Sequence, residues 1–364
     1  MTAVHQFVPA LLPRDATGRH TLELRDTLRR HGWESDIYVE AAHDELQDEA
    51  TYFECYPERA RPGDILLYQL STASPVADFL LTRPETLVLD YHNITPASFY
   101  EGWEDHTGEK VALARRQAAA LAPTATLGIA DSSFNAAELR RLGCPATTVV
   151  PILVDVGDGP APVDTAESTR LAGRHGPGTV LLFVGRLSPN KAQHRLVEAL
   201  WLYRRWFDPD SRLHLVGPSV TPSYVAAVLA LAEELGLSDA VRHVEGLTDA
   251  ELAAWYDDAD VFVCLSEHEG FCIPLLEAMR AGLPIVAGGS GAVPETLDGA
   301  GIVLDPARPA TVAVAVDRVR RDGRLAARMA DAGQRRLEAF TPARTRRRFI
   351  EALAEVVEGQ GGVR

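Results

Sequence analysis

The sequence predicts two doubly wound, Rossmann-like α/β domains facing across a cleft, and three observations carry that expectation. Strand-like apolar runs alternate with helix signals along the chain. The alternation pauses over 156–178, where Gly, Pro, Asp and Thr accumulate without apolar periodicity. The chain's 364 residues exceed what one ordinary hydrophobic core takes up. Strands alternating with helices imply parallel sheets covered on both faces.

In the first half, strand runs fall at 4–8, 37–39, 65–70, 86–91, 127–130 and 148–153. Between them, Leu24 and Leu28 stand one helical turn apart in a segment stopping at Gly32. Helix signals also run over 109–121, ending before Pro123, and over 133–142, ending at Gly143. In the second half, strands at 180–184, 213–216, 242–244, 261–265, 284–287 and 302–304 alternate with helices such as 196–207 and 224–235. Thr248 and Glu251 have the spacing of a capping box. The expected organisation is therefore a first domain over 1–155, a linker over 156–178 with room for one irregular helix turn, and a second domain over 179–340. A last helix over 341–364, opened by Thr341-Pro342, packs back on the first domain.

The net charge of −15 and 46% hydrophobic content describe an ordinary soluble chain and argue against a nucleic-acid binder, which needs a basic face. Cys55, Cys144, Cys264 and Cys272 show no CxxC pair and no metal-ligand spacing, so they read as reduced thiols. The first twelve residues lack a basic region, and no apolar run approaches a membrane span. A cytoplasmic location is expected.

The chemistry concentrates in two places in the second half. After the strand 180–184 comes Gly185-Arg186-Leu187-Ser188-Pro189-Asn190-Lys191. An Arg fork and a Lys point charge at a strand end suit a diphosphate. After the strand 261–265 comes Glu269-Gly270-Phe271-Cys272-Ile273-Pro274-Leu275-Leu276-Glu277, a loop feeding a helix with Pro near its first position. Free amides at a helix start attract anions. The two flanking carboxylates then require a ligand with hydroxyls as well as phosphates, as a nucleotide-linked sugar has. His92, just after the strand 86–91, is the first-half candidate, and Gly18 lies between the first strand and first helix.

The string Phe183-Val184-Gly185-Arg186-Leu187 with Lys191, followed by the run from Ala259 to Ala287, closely resembles the retaining glycosyltransferases of family 4. That resemblance is strong over 179–306 and thinner in the first half, where it rests on 15–30 and on Asp90-Tyr91-His92-Asn93-Ile94-Thr95-Pro96. It implies the GT-B architecture and a Glu-x7-Glu motif at Glu269 and Glu277. It further implies that Arg186 and Lys191 hold the donor diphosphate, and that amides of Gly270, Phe271, Cys272 and Ile273 meet sugar and phosphate. Glu269 would accept from a sugar hydroxyl and Glu277 from the ribose, with the base against Leu247 and Pro274. His92 would contact the sugar's 6-hydroxyl, and Gly18 would let the backbone approach the donor. Many relatives have Gly where this chain has Cys272.

The function expected is metal-independent, retaining transfer from a nucleotide-diphosphate sugar to a hydroxyl acceptor. The co-substrate is a UDP- or GDP-sugar, with no further cofactor. The partners are that donor and a small-molecule, glycan or lipid-linked acceptor, with Tyr100, Trp103 and His106 as candidate acceptor residues. Two alternatives stay open: a nonenzymatic two-domain nucleotide- or sugar-binding protein, and a phosphorylase using Lys-bound pyridoxal phosphate. Asp258-Ala259-Asp260 resembles a metal-binding DxD but reads as a solvated turn, and 344–348 reads as one polar helix face.

Overall fold

The computed structural model describes residues 2–13, 15–154, 161–172 and 178–361. The chain forms two compact units. The first comprises Met1–Ser98, His106–Asp155 and Phe340–Arg364, and the second comprises Phe99–Asp105 and Val156–Ala339.

The first unit holds β1 (Val4–Leu11), β2 (Ile37–Ala42), β3 (Thr51–Tyr52), β4 (Ile65–Leu70), β5 (Thr86–Tyr91), β6 (Leu127–Ala130) and β7 (Thr147–Val149). They make one parallel sheet in the order β3-β2-β1-β4-β5-β6-β7. All six residues of β4 are buried, as a central strand covered on both faces requires. The two-residue edge strand β3 has no sequence signature, since it is too short to show alternation. The final helix, Pro342–Gly361, places Phe349, Leu353 and Val356 against Val4, Leu24 and Leu28. Intervals of four and three keep those side chains on one face.

The second unit holds β8 (Val180–Val184), β9 (Arg212–Val216), β10 (Val241–Val244), β11 (Val261–Cys264), β12 (Ile285–Gly288) and β13 (Ile302–Leu304). Their parallel order is β10-β9-β8-β11-β12-β13. Chain order reverses between β1 and β4 in one sheet and between β8 and β11 in the other. Ligand sites of doubly wound sheets lie at the carboxyl ends of such strands. The capping box forms as expected, Thr248 and Glu251 exchanging bonds at the start of Asp249–Asp258.

Four local readings need correction. Within the expected linker, 156–160 and 173–177 lie outside the described residues, but Thr165–Ala172 is a regular helix of 8 residues, more than the one irregular turn expected there. The buried Trp255 indole donates to Glu167 of that helix at 2.9 Å, so it belongs to the second unit's packing. Asp260 is no solvated turn: it accepts from the Val180 amide at 2.8 Å and pairs with Arg320 at 2.8 Å, fixing the start of β8. The arginine run is not wholly a solvent face either, because Arg346 pairs with Glu23 at 2.6 Å and Arg348 donates to the Val149 carbonyl. Finally, Phe99–Asp105 goes with the second unit, not the first.

Candidate functional site

In the second unit, the loops leaving β8 and β11 meet at the switch point. After β8, Pro189–Lys191 makes a short turn, and Ala192, in the left-handed conformation (φ 53°), starts the helix Gln193–Trp206. The turn is tied to the β11 loop by Glu267 N–H donating to Asn190 O at 2.8 Å. These bonds aim Lys191 at Glu269, with Nζ to Oε1 at 2.7 Å. Burial disfavours the Lys191 ammonium, but Glu269 outweighs it and raises its pKa, while nearby Arg186 acts in the opposite direction. Burial likewise disfavours the Glu269 carboxylate, yet Lys191 and hydrogen bonds from Ser266 and Cys272 hold it below the usual range. Arg186 itself is exposed. Two cations of one loop, close enough to oppose one another and facing one carboxylate of the β11 loop, leave positive charge for an anion.

The helix Ile273–Arg280 begins beside this pair with Cys272 as its N-cap residue, at φ 74° and ψ 69°, and no side chain caps it. An L-residue is strained in that conformation, roughly 1–2 kcal/mol. An uncapped start among buried neighbours is the arrangement that binds anions. Gly270, Phe271, Ile273 and Pro274 follow one another around that start, and Leu247, half-buried, follows β10.

Three residues missed in the sequence hold this loop. Gly291, at φ +59°, lies so close to Glu269 that a Cβ would stand 2.2 Å from its carbonyl oxygen. Only glycine lets Ala292 N–H reach that carbonyl at 2.9 Å. Thr296 Oγ1 donates to the Phe271 carbonyl at 2.7 Å. Tyr256 OH donates to Glu277 Oε2 at 2.7 Å, orienting the second carboxylate. Gly291 sits in the Gly-Gly-Ser-Gly run after β12, a usable cue; nothing in the sequence singles out Tyr256.

The first unit brings together a different cluster at the carboxyl ends of β4 and β5. His92 Nδ1 faces Asp131 at 3.2 Å and Nε2 faces Gln69 Oε1 at 2.6 Å. Gln69 Nε2 donates onward to Gln6 Oε1 at 3.0 Å, so its Oε1 must accept from His92. Both His92 nitrogens therefore donate, which makes the ring an imidazolium. Burial opposes that charge, but Asp131 and Asp90 outweigh it and raise its pKa to about 9. His20 accepts the Leu153 amide at Nδ1 (3.0 Å) and donates from Nε2 to Asp90 Oδ2 (2.8 Å), which fixes its neutral tautomer. His20, Asp90 and His92 have metal-ligand spacing, but neither ring retains a lone pair for a cation. Asp90 Oδ1 is buried without a partner. The sequence marked His92 and passed over Gln69, Asp131 and His20, which come from separate segments.

Gly18 lies inside the first turn of the helix Ala16–Arg30 rather than in a loop, and its amide donates to the capping Asp15 Oδ2 at 3.0 Å. Its Cβ would stand 2.7 Å from the Leu12 carbonyl oxygen, so close helix–strand approach already requires glycine there. Of the acceptor candidates, Tyr100 and Trp103 fall in the second unit and His106 in the first. Trp103 packs edge-on against Tyr224 with ring centroids 5.2 Å apart, and its carbonyl accepts from Ser223 Oγ at 2.6 Å. Tyr100 is buried and His106 exposed.

Two parallel-sheet α/β domains with switch-point sites define the GT-B fold class. The Anabaena protein HepE, solved in complex with UDP-glucose, shares that fold with a TM-score of 0.77 at 18% identity, covering 97% of this chain and 99% of that one. Residues 168–336, which include the whole Lys191–Glu277 cluster, match the family described as Glycosyl transferases group 1. Among curated relatives, the GDP-mannose-dependent alpha-(1-6)-phosphatidylinositol monomannoside mannosyltransferase of Mycolicibacterium smegmatis is 36% identical over 182 residues, 47% of each chain. The D-inositol 3-phosphate glycosyltransferase of Frankia alni is 36% identical over 188 residues, 49% of this chain and 46% of its own. The chain thus spans about half the length of the curated relatives it matches. Among the described residues, no helix is long and apolar enough to cross a membrane.

Proposed function

We propose that this protein is a retaining, metal-independent glycosyltransferase that moves a sugar from a nucleoside diphosphate sugar to a hydroxyl acceptor. The observation that carries the reading is the uncapped helix start at Cys272 beside Lys191 and the exposed Arg186, within the segment similar to glycosyltransferases. Breaking the anomeric C–O bond leaves positive charge on the sugar and negative charge on the diphosphate. Fixed cations and helix amides aimed at the diphosphate stabilise that transition state above the ground state.

Glu269 is ill suited as a covalent nucleophile, since its carboxylate is committed to Lys191. A phosphate oxygen of the leaving group then takes the acceptor proton as the hydroxyl attacks on the same face. Glu269 orients a sugar hydroxyl, Glu277 accepts from the ribose, and His92 donates to the sugar once Gln69 gives way. A pyridoxal-dependent phosphorylase is disfavoured, because the chain's two lysines are the exposed Lys110 and the ion-paired Lys191.

The names of the relatives make GDP-mannose and UDP-glucose the first donors to try, with inositol phosphates and phosphatidylinositol mannosides as first acceptors. Incubating each pair with and without EDTA, then assigning the product anomer by NMR, tests the reading. Unchanged transfer in EDTA with retained configuration is expected. Loss of transfer in EDTA, an inverted product, or a glycosyl adduct trapped on Glu269 overturns it.

A further inference from the structure

The two buried thiols of the second unit stand together although the sequence separates them. Cys264 closes β11 and Cys272 precedes the helix Ile273–Arg280, with Sγ to Sγ at 4.0 Å. The Glu269 carboxylate lies with both sulfurs so that one ligand atom from each falls within 4.8 Å of the others. All three residues are buried, at 2%, 9% and 7% exposure for Cys264, Cys272 and Glu269. We propose that Cys264, Cys272 and Glu269 form a binding site for a thiophilic divalent cation of the zinc type.

Distance decides between a cation and a disulfide. Tetrahedral zinc with Zn–S bonds of about 2.3 Å sets its sulfurs about 3.8 Å apart. A disulfide needs them about 2.05 Å apart. The observed pair is close to the first spacing and far from the second. Charge agrees. Binding exchanges two thiol protons for one M²⁺, both protons leaving to solvent, so the net charge of the buried pocket is unchanged. The first unit's His20–Asp90–His92 group lacks this capacity, because its ring nitrogens are all engaged. With three protein ligands, the fourth position falls to water.

Ligation draws Glu269 away from the Lys191 ammonium, so occupancy inhibits the transfer reaction; this consequence alone rests on the proposed function. The site itself is tested without activity. Co(II) titration of the reduced full-length protein is expected to take up about one equivalent with tetrahedral d–d bands and thiolate-to-cobalt charge transfer. Zn(II) should displace it. Cys264→Ser and Cys272→Gly should each abolish the charge-transfer band, and Cys55→Ser should leave it intact. Glycine suits the left-handed backbone at 272, so Cys272→Gly should melt no lower than the parent, separating lost ligation from lost folding. Glu269→Gln should weaken binding roughly tenfold or more. No charge-transfer band, or one that survives Cys272→Gly, overturns the site. So does a pair of thiols that escapes titration until a reductant is added, since that marks a disulfide.

Discussion

The two units each carry a buried charge cluster at the carboxyl ends of their strands, and the clusters differ in what is left open. Around His92, apart from Asp90 Oδ1, each ring nitrogen and amide has a defined partner: Asp131, Gln69, Gln6, Asp90 and the Leu153 amide close the network. Around Lys191, the single ion pair to Glu269 sits beside an uncapped helix start, an exposed arginine and two thiols. A closed network positions charge and resists exchange. An open one has valences for a ligand. The contrast separates a part that holds its geometry in advance from a part that grips.

The largest effect should come from breaking the closed cluster. Asp131→Ala leaves a buried imidazolium without its carboxylate and should cost about 3–5 kcal/mol of stability, read by urea unfolding. A loss below about 1 kcal/mol would show that the network is solvated in solution. In the open cluster, Lys191→Ala should cost less stability than Asp131→Ala, because Glu269 keeps hydrogen bonds from Ser266 and Cys272, and should lower turnover about 10²–10³-fold. Equal loss of stability at both sites would erase the distinction.

The pH dependence sharpens the same contrast. The folded pKa of His92 is raised to about 9 from the ordinary 6.5. Its contribution is therefore fully present below about pH 6.5 and lost as pH rises through about 9. Urea midpoints measured from pH 6 upward should fall across that window, and His92→Asn should flatten the decline. Smallest is Tyr256→Phe, which removes one hydrogen bond to Glu277. It should cost about 1 kcal/mol and raise the donor KM several-fold with kcat nearly unchanged; a kcat effect alone would place Glu277 away from the ribose.

Much of the fold was readable because parallel strands buried on both faces leave continuous apolar runs, as 65–70 and 180–184 do, and because Gly32, Pro123, Gly143 and the Thr248–Glu251 box mark helix ends. The short strand β3 and the helix Thr165–Ala172 were not, the first for want of length and the second because Gly and Pro surround it. Arg186, Lys191, Glu269 and Glu277 stood out since each adjoins a strand end or helix start. Gly18 carries a constraint the sequence did not show, since a Cβ there would meet the Leu12 carbonyl oxygen.

By itself, then, the chain specified alternation, the second sheet's loop chemistry and the placement of cations after strands, all of which follow from local periodicity and backbone valence. Which side chains touch was settled only in three dimensions. His20, Gln69, Asp90, His92 and Asp131 converge from four segments, Gly291 clasps Glu269, and Cys264 meets Cys272 across a turn. Such contacts depend on strand order and crossover, and a linear sequence carries neither until hydrophobic burial has chosen the topology.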